Sequence, residues 1–180
     1  MNRVETKAEW RDWARSLAPA NGAESAAVAA HVGAFASTAG WKRILSFLAL
    51  PGEVDLASMG GGFDLAVTRT PRQGPLTVHQ LSDDLETHAL GYRQPRADAP
   101  QMAFETIEAV LVPGVLFARD GGRLGHGKGY YDTLLAGFAL RPYLLGVTLE
   151  RRLVDRLPMS ELDVYMDAIA TEVGITPTRR

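Results

Sequence analysis

The segment from Gly121 to Asp132, Gly-Gly-Arg-Leu-Gly-His-Gly-Lys-Gly-Tyr-Tyr-Asp, constrains this chain more than any other. Its twelve positions hold five glycines, two cations, two tyrosines and a carboxylate. Ala109 to Pro113, just before it, reads as a short buried strand, and Thr133 to Leu140, just after it, as a helix. A strand, a glycine-rich loop carrying Arg123 and Lys128, and a helix start together suit a phosphate. Glycine lets backbone N–H groups approach an anion, and the helix start adds partial positive charge. Neither common glycine-rich pattern fits. A P-loop places four residues between its first glycine and Gly-Lys-Ser/Thr. The dinucleotide fingerprint needs an acidic residue about 20 positions on, where Glu150 is only a loose match. A plain surface turn is the bland alternative; the alternating glycines, the paired cations and the closing Tyr-Tyr-Asp favour a ligand site.

The 180 residues suffice for one domain with its own core. With 46% hydrophobic and 22% charged residues, the composition is that of an ordinary soluble globular protein. A net charge of −2 argues against non-specific nucleic-acid binding. Cysteine is absent, which excludes disulfides, thiolate catalysis and Cys-based metal sites. His31, His79, His88 and His126 lack zinc-ligand spacing. No apolar run reaches the ~20 residues of a membrane span, and Met1–Arg11 has no apolar signal core. The expectation is a cytoplasmic enzyme with neither membrane nor nucleic acid as partner.

In chain order, Thr6 with Glu9 forms a capping-box pattern, and Trp10, Trp13, Ala14 and Leu17 follow at helical spacing. Lys7 and Arg11 share a face of that helix and can point at one anion; a solvated charged face is the common alternative. A second helix is expected over Ala23–Ala39, stopped by Gly40. Strands are expected at Arg43–Leu50, Phe63–Arg69, Leu76–Leu81, Thr106–Val112, Arg141–Glu150 and Ala168–Val173, and short helices at Glu53–Met59 and Arg151–Leu157. Gly60–Gly62 and Gly91–Pro100 read as loops, and Arg69 as a strand-end residue within reach of a site. Strands mostly alternate with helices, which predicts an α/β protein with a largely parallel sheet.

Val112-Pro-Gly-Val-Leu-Phe117 followed by Asp120-Gly-Gly-Arg-Leu-Gly-His-Gly-Lys-Gly-Tyr-Tyr-Asp132 resembles the motif of the 5-formyltetrahydrofolate cyclo-ligase (methenyltetrahydrofolate synthetase) family. Further stretches align in order. These are Lys7 to Arg11, Phe47-x-x-x-Pro51-x-Glu53-Val-Asp55, Thr68-Arg69, Gly91-Tyr-Arg-Gln-Pro95, Leu157-Pro158, Asp163, and Asp167-Ala-Ile-Ala-Thr-Glu172. The resemblance covers nearly the whole chain. Departures are Gln94 for a family Glu, Thr68 for Pro and Glu108 for Asp.

The resemblance implies one α/β domain over residues 1–180. Its sheet would be open and mostly parallel with helices on both faces, as in the NagB/RpiA/CoA transferase-like fold. It also implies a ring-forming carbon–nitrogen ligase of one-carbon metabolism. Such an enzyme uses ATP and Mg²⁺ to cyclise 5-formyltetrahydrofolate to 5,10-methenyltetrahydrofolate, with ADP and phosphate released. By the family pattern Arg123 and Lys128 are catalytic. ATP would be bound by Lys7, Arg11, Arg123, Leu124, Gly125, His126, Gly127, Lys128, Gly129, Tyr130 and Tyr131. The folate would be bound by Leu48, Glu53 and the His126–Tyr130 segment. Asp132 and Asp163 would hold Mg²⁺, with Asp167 the rival of Asp163. A monomer acting on small molecules is expected. Two alternatives stay open at this level: a non-catalytic nucleotide- or RNA-binding module on the same fold, and an ATP-dependent enzyme acting on a related pterin or formamide.

Overall fold

A computed structural model describes residues 6–60, 62–89 and 91–178. Gly61 of the expected Gly60–Gly62 loop and residues 1–5 of the N-terminal stretch lie outside these. The chain begins with α1 (Lys7–Arg15) and α2 (Gly22–Ala39), followed by β1 (Arg43–Ser46), β2 (Asp64–Arg69) and β3 (Thr77–Gln80). A two-stranded ribbon, β4 (Leu85–Thr87) and β5 (Arg93–Pro95), precedes β6 (Ala109–Pro113), β7 (Leu116–Ala118) and β8 (Arg123–Leu124). Then come α3 (Tyr130–Ala136), β9 (Tyr143–Val147), β10 (Leu153–Val154), β11 (Ala168–Thr171) and β12 (Gly174–Pro177).

The main sheet has the order β12-β11-β9-β6-β1-β2-β3. Its inner strands β11, β9, β6, β1 and β2 are parallel, and β3 and β12 close the two edges antiparallel. Successive residues of each inner strand serve opposite faces. Ile44, Leu111 and Leu145 pack on Val28 and Val32 of α2, while Leu45, Val110 and Leu144 pack on Leu134 and Leu135 of α3. Both faces are buried, which is why these strands read as continuous apolar runs rather than alternating ones. The architecture is the expected one: α/β, mostly parallel, with helices on both faces.

Both long helices start where side chains take up the free N–H groups of the first turn. Thr6 Oγ1 accepts from Glu9 N–H at 3.2 Å while the Glu9 carboxylate accepts from Thr6 N–H at 2.9 Å. Asn21 and Glu24 repeat the arrangement at the head of α2. Glu108, the family-departing acid, caps the start of β1. Its Oε2 accepts from Lys42 N–H at 2.6 Å and Arg43 N–H at 2.8 Å, and these bonds hold its carboxyl below the usual pKa.

A small sheet of order β10-β7-β8 carries α1, with Ala14 packed among Leu116, Ala118, Leu124 and Leu157. Phe117 points the other way, into the main core, where a Cβ on Gly146 of β9 would lie 2.5 Å from its ring. The hairpin is thereby locked to the sheet, and α1 with it.

Several expected elements differ. Glu53–Met59 is not helical. Val54 and Leu56 are both 5% exposed and alternate with Asp55, whose N–H donates to Ser25 Oγ of α2 at 3.2 Å, so tertiary contacts hold the segment extended. Arg151–Leu157 is a 3-10 turn followed by β10, because pairing with β7 captures its backbone. The glycine-rich segment is not one loop: Arg123 and Leu124 form β8, antiparallel to β7, and the open loop begins only at Gly125. The Gly91–Pro100 connector contains β5, and β12 follows the last expected strand.

Candidate active site

From β1 the chain moves to β2 on one side, whereas β6, β9 and β11 build outward on the other. The sheet order therefore reverses between β1 and β6, and the crevice outside their carboxyl ends is where open α/β sheets bind ligands. A cavity of about 590 Å³ lies there. The end of β1 supplies Phe47, Leu48, Leu50 and Glu53; β2 supplies Thr68 and Thr70; β6 supplies Pro113. Lys7 and Arg11 of α1, Asp163, and every residue from Arg123 to Asp132 complete the phosphate-like side. Every residue expected to bind a nucleotide or a folate, and the expected metal ligands Asp132 and Asp163, thus line one space.

The loop from Gly125 is fixed by α1. Arg11 Nε donates to the Gly125 carbonyl at 2.8 Å. Gly127 has φ of +96°, and a Cβ there would sit 3.3 Å from the Arg11 guanidinium carbon, so this position requires glycine on both counts. Lys7 Nζ lies 2.5 Å from Asp163 Oδ2. Burial works to raise the Asp163 pKa, but hydrogen bonds from Lys7 and from the Ser160 N–H and hydroxyl outweigh it and hold the carboxyl below its usual value.

Arg123 is the most deeply buried cation of the cavity wall, its side chain only 5% exposed. Nη2 donates to Asp132 Oδ1 at 2.7 Å, the guanidinium lies 5.8 Å from the centre of the Tyr131 ring, and Nε has no partner among the described residues. The Tyr131 hydroxyl is buried without a partner of good geometry. Burial raises its pKa far above the phenol value, with the nearby Thr68 hydroxyl only partly opposing. Tyr131 is therefore largely a packing residue, whereas Tyr130 is 38% exposed at the cavity. Lys128 is exposed and has no hydrogen bond or ion pair among the described residues.

The two carboxylates offer what a hard divalent cation takes. The bonds of Asp132 fall on Oδ1 and those of Asp163 on Oδ2, so one oxygen of each is unengaged among the described residues. Those residues contain no cluster of three or more His, Cys, Asp or Glu suited to a metal. Two carboxylates with phosphate and water completing the shell is the pattern of Mg²⁺ rather than of a protein-only cage. Asp167 lies away from the cavity, tied to Arg141 at 2.8 Å and to Leu144 N–H at 2.8 Å.

Glu53 accepts the Leu50 N–H at 2.9 Å and faces His126 Nε2 at 3.1 Å. That pair stands on the wall shared with an adjoining cavity of about 390 Å³, which also touches Arg11, Phe47 and Pro113. Arg69 does not line either cavity. Its guanidinium bonds Glu86 at 2.8 Å and the Pro95 carbonyl at 3.0 Å, holding the ribbon. In its place the ribbon presents Tyr92 and Arg93, and Leu76 lines the cavity beside them. Tyr92 and Arg93 belong to the Gly91–Pro95 stretch that aligns with the family, but only the packing of β5 against β2 places them at the cavity, and Leu76 carries no motif.

Comparison with known proteins follows the same lines. Residues 11–172 match the family model of the 5-formyltetrahydrofolate cyclo-ligase family. A probable 5-formyltetrahydrofolate cyclo-ligase of Caenorhabditis elegans is 34% identical over 98 residues, 50% of this chain and 48% of that protein. The 5-formyltetrahydrofolate cyclo-ligase of Mus musculus is 33% identical over 70 residues, 37% of this chain and 34% of that protein. The aligned regions thus span half or less of these relatives. The solved structure of Aquifex aeolicus 5,10-methenyltetrahydrofolate synthetase superposes with a TM-score of 0.80 at 24% identity, over 97% of this chain and 93% of that one. The Mycoplasma pneumoniae 5,10-methenyltetrahydrofolate synthetase gives 0.71 at 17% identity, over 92% and 96%. These two likenesses establish the fold.

Proposed function

The chain belongs to the 5-formyltetrahydrofolate cyclo-ligase family, and on that premise we propose that it closes 5-formyltetrahydrofolate to 5,10-methenyltetrahydrofolate at the expense of ATP, as a single domain over residues 1–180. The observation that carries this reading is the single cavity at the β1/β6 crossover. It gathers Lys7, Arg11, Arg123 and Lys128 on one side and Leu48 and Glu53 on another.

A formamide oxygen is a poor leaving group. In the proposed reaction it attacks the γ-phosphorus of ATP, and ADP departs. The second folate nitrogen then attacks the activated formyl carbon, and phosphate leaves with the former formyl oxygen while that nitrogen loses its proton. Transfer of this kind depends on positioning and on charge stabilisation rather than on covalent help from the protein. Lys7 and Arg11, on one helix face, hold the polyphosphate. Lys128, exposed in the Gly125–Gly129 segment and without a partner among the described residues, follows the transferring group. Arg123, kept in place by Asp132, would add its fixed positive charge beside the polyphosphate. The unengaged oxygens of Asp132 and Asp163 would hold Mg²⁺, which would supply charge neutralisation between the phosphates. Glu53 would accept the ring N–H groups of the pterin, oriented by its own bonds to Leu50 and His126. Leu48 would supply apolar contact.

We also infer a cytoplasmic setting. Among the described residues no helix is long and apolar enough to cross a membrane. The route is tested by labelling the formyl oxygen of the substrate with ¹⁸O. One labelled oxygen should appear in the released phosphate. Label retained in a folate product or lost to water would contradict the phosphorylated intermediate.

A further inference from the structure

The cavity is lined by cations carried on elements from both sides of β1, and the reaction above uses only those on one side. Lys7 is matched by Asp163 and Arg123 by Asp132, and Arg11 is tied to the Gly125 carbonyl. Lys128 and Arg93 also line the cavity, and neither has a hydrogen bond or ion pair among the described residues. Lys128 belongs to the segment that follows β6 and its hairpin. Arg93 lies on β5, in the ribbon packed against β2. In the sheet β1 runs between β6 and β2, and its end places Phe47, Leu48 and Leu50 in the cavity wall. By strand order, the apolar residues at the end of β1 stand between the phosphate-type segment and the exposed guanidinium of Arg93.

Arg93 is exposed, and the backbone that carries it is held by its neighbours. Gln94, next to it and 3% exposed, donates from Nε2 to Glu86 Oε1 at 2.9 Å and accepts the Thr70 N–H at 3.2 Å. Glu86 is also held by Arg69, and the Tyr92 hydroxyl donates to Thr70 Oγ1 at 3.1 Å. Because the nearest ribbon carboxylate is thus engaged by Gln94 and Arg69, Arg93 keeps its charge unmatched.

Resting on the folate reading above, we propose that Arg93 recognises the carboxylates of the substrate's glutamyl tail and sets the preference for tailed over tail-less folates. A 5-formyltetrahydrofolate has the same order as the cavity. Its formyl-bearing ring must meet the γ-phosphate near Lys128, its flat aminobenzoyl group is apolar, and its anionic carboxylates lie at the far end. A guanidinium is the side chain whose planar fork matches a carboxylate, and a mount that fixes the backbone lowers the ordering cost of that contact.

The test compares wild type with Arg93→Ala and Arg93→Lys. The two ligands are 5-formyltetrahydrofolate and the carboxamide of 5-formyltetrahydropteroate, which keeps both reacting nitrogens and lacks glutamate. Calorimetric Kd values without ATP are read alongside KM and kcat with it. Arg93→Ala should raise Kd and KM for the glutamyl ligand roughly tenfold, the scale of one charge-assisted hydrogen bond at an exposed rim. The carboxamide should be unaffected, kcat should hold, and Arg93→Lys should lose less. Because Arg93 is exposed and has no partner among the described residues, the melting temperature should not move. If the ratio of glutamyl to carboxamide affinity is the same in wild type and Arg93→Ala, Arg93 does not read the tail and the folate reading still stands. If wild type binds neither ligand, the folate reading fails and this inference with it.

Discussion

Arg123 and Asp132, nine positions apart, form a 2.7 Å ion pair in which the arginine side chain is 5% exposed and the aspartate 28%. The pair joins β8 to the first turn of α3 and so sets the shape of the glycine loop between them. Removing the carboxylate leaves a buried guanidinium without its counter-charge, an error that costs about 3–5 kcal/mol. Asp132→Ala should lower the unfolding free energy by that order in a urea titration, and Asp132→Asn, which keeps an accepting oxygen, by less. Equal stability of Asp132→Ala and wild type would mean that Arg123 finds another partner.

Lys128 offers the opposite case. It is exposed and has no partner among the described residues, so Lys128→Ala should leave the melting temperature within error. Its proposed work is on charge that develops during transfer, and loss of such a group costs about 10²–10³ in kcat. A variant with near-normal turnover would remove Lys128 from the phosphate site.

Glu53 is oriented by the Leu50 N–H and by His126. Glu53→Gln keeps the shape but replaces half of its accepting capacity with a donor. Folate affinity should fall about tenfold or more, while ATP affinity measured in the absence of folate should change little. Equal losses for both ligands would identify Glu53 as a structural residue of the loop.

Acid stability should report the clamp between Arg151 and Glu24. Arg151 donates to both carboxylate oxygens, at 2.5 and 3.0 Å. That bond, with a second from the Asn21 N–H, lowers the Glu24 pKa from 4.5 to about 2. The folded state favours the ionised form, so the contribution is complete above about pH 4.5 and is lost as pH falls through about 2. Melting curves of wild type and Glu24→Gln should differ at pH 7 and converge toward pH 2. A gap that is constant across this range would place the effect in packing rather than charge.

The central strands are legible in the sequence because both faces of the sheet are covered. Ile44-Leu45, Val110-Leu111 and Leu144-Leu145 each form an apolar pair. The α1 cap is legible because Thr6 and Glu9 have the spacing that capping chemistry requires. The strands β5, β8 and β10 hold two or three residues each, too few to show a period, and their pairing depends on contacts distant in sequence. Glu53–Met59 misleads for a related reason: Val54 and Leu56 are buried in the core and the Asp55 N–H bonds to Ser25 of α2, contacts distant in sequence that hold the segment extended. In the site, the charged members of the motif are readable as chemistry. Tyr92 and Arg93 are not, since their place at the cavity follows from how the ribbon docks on β2. Asp163 and Asp167, equivalent as carboxylates, are separated only by the fold, which turns one into the cavity and the other onto Arg141.

The most direct measurement is turnover by the purified chain supplied with ATP, Mg²⁺ and 5-formyltetrahydrofolate. The expected result is growth of the methenyl absorbance at the violet edge, with one phosphate released per folate cyclised and no signal when ATP is left out. An unchanged spectrum at saturating concentrations, from protein shown to be folded, would contradict the proposed activity.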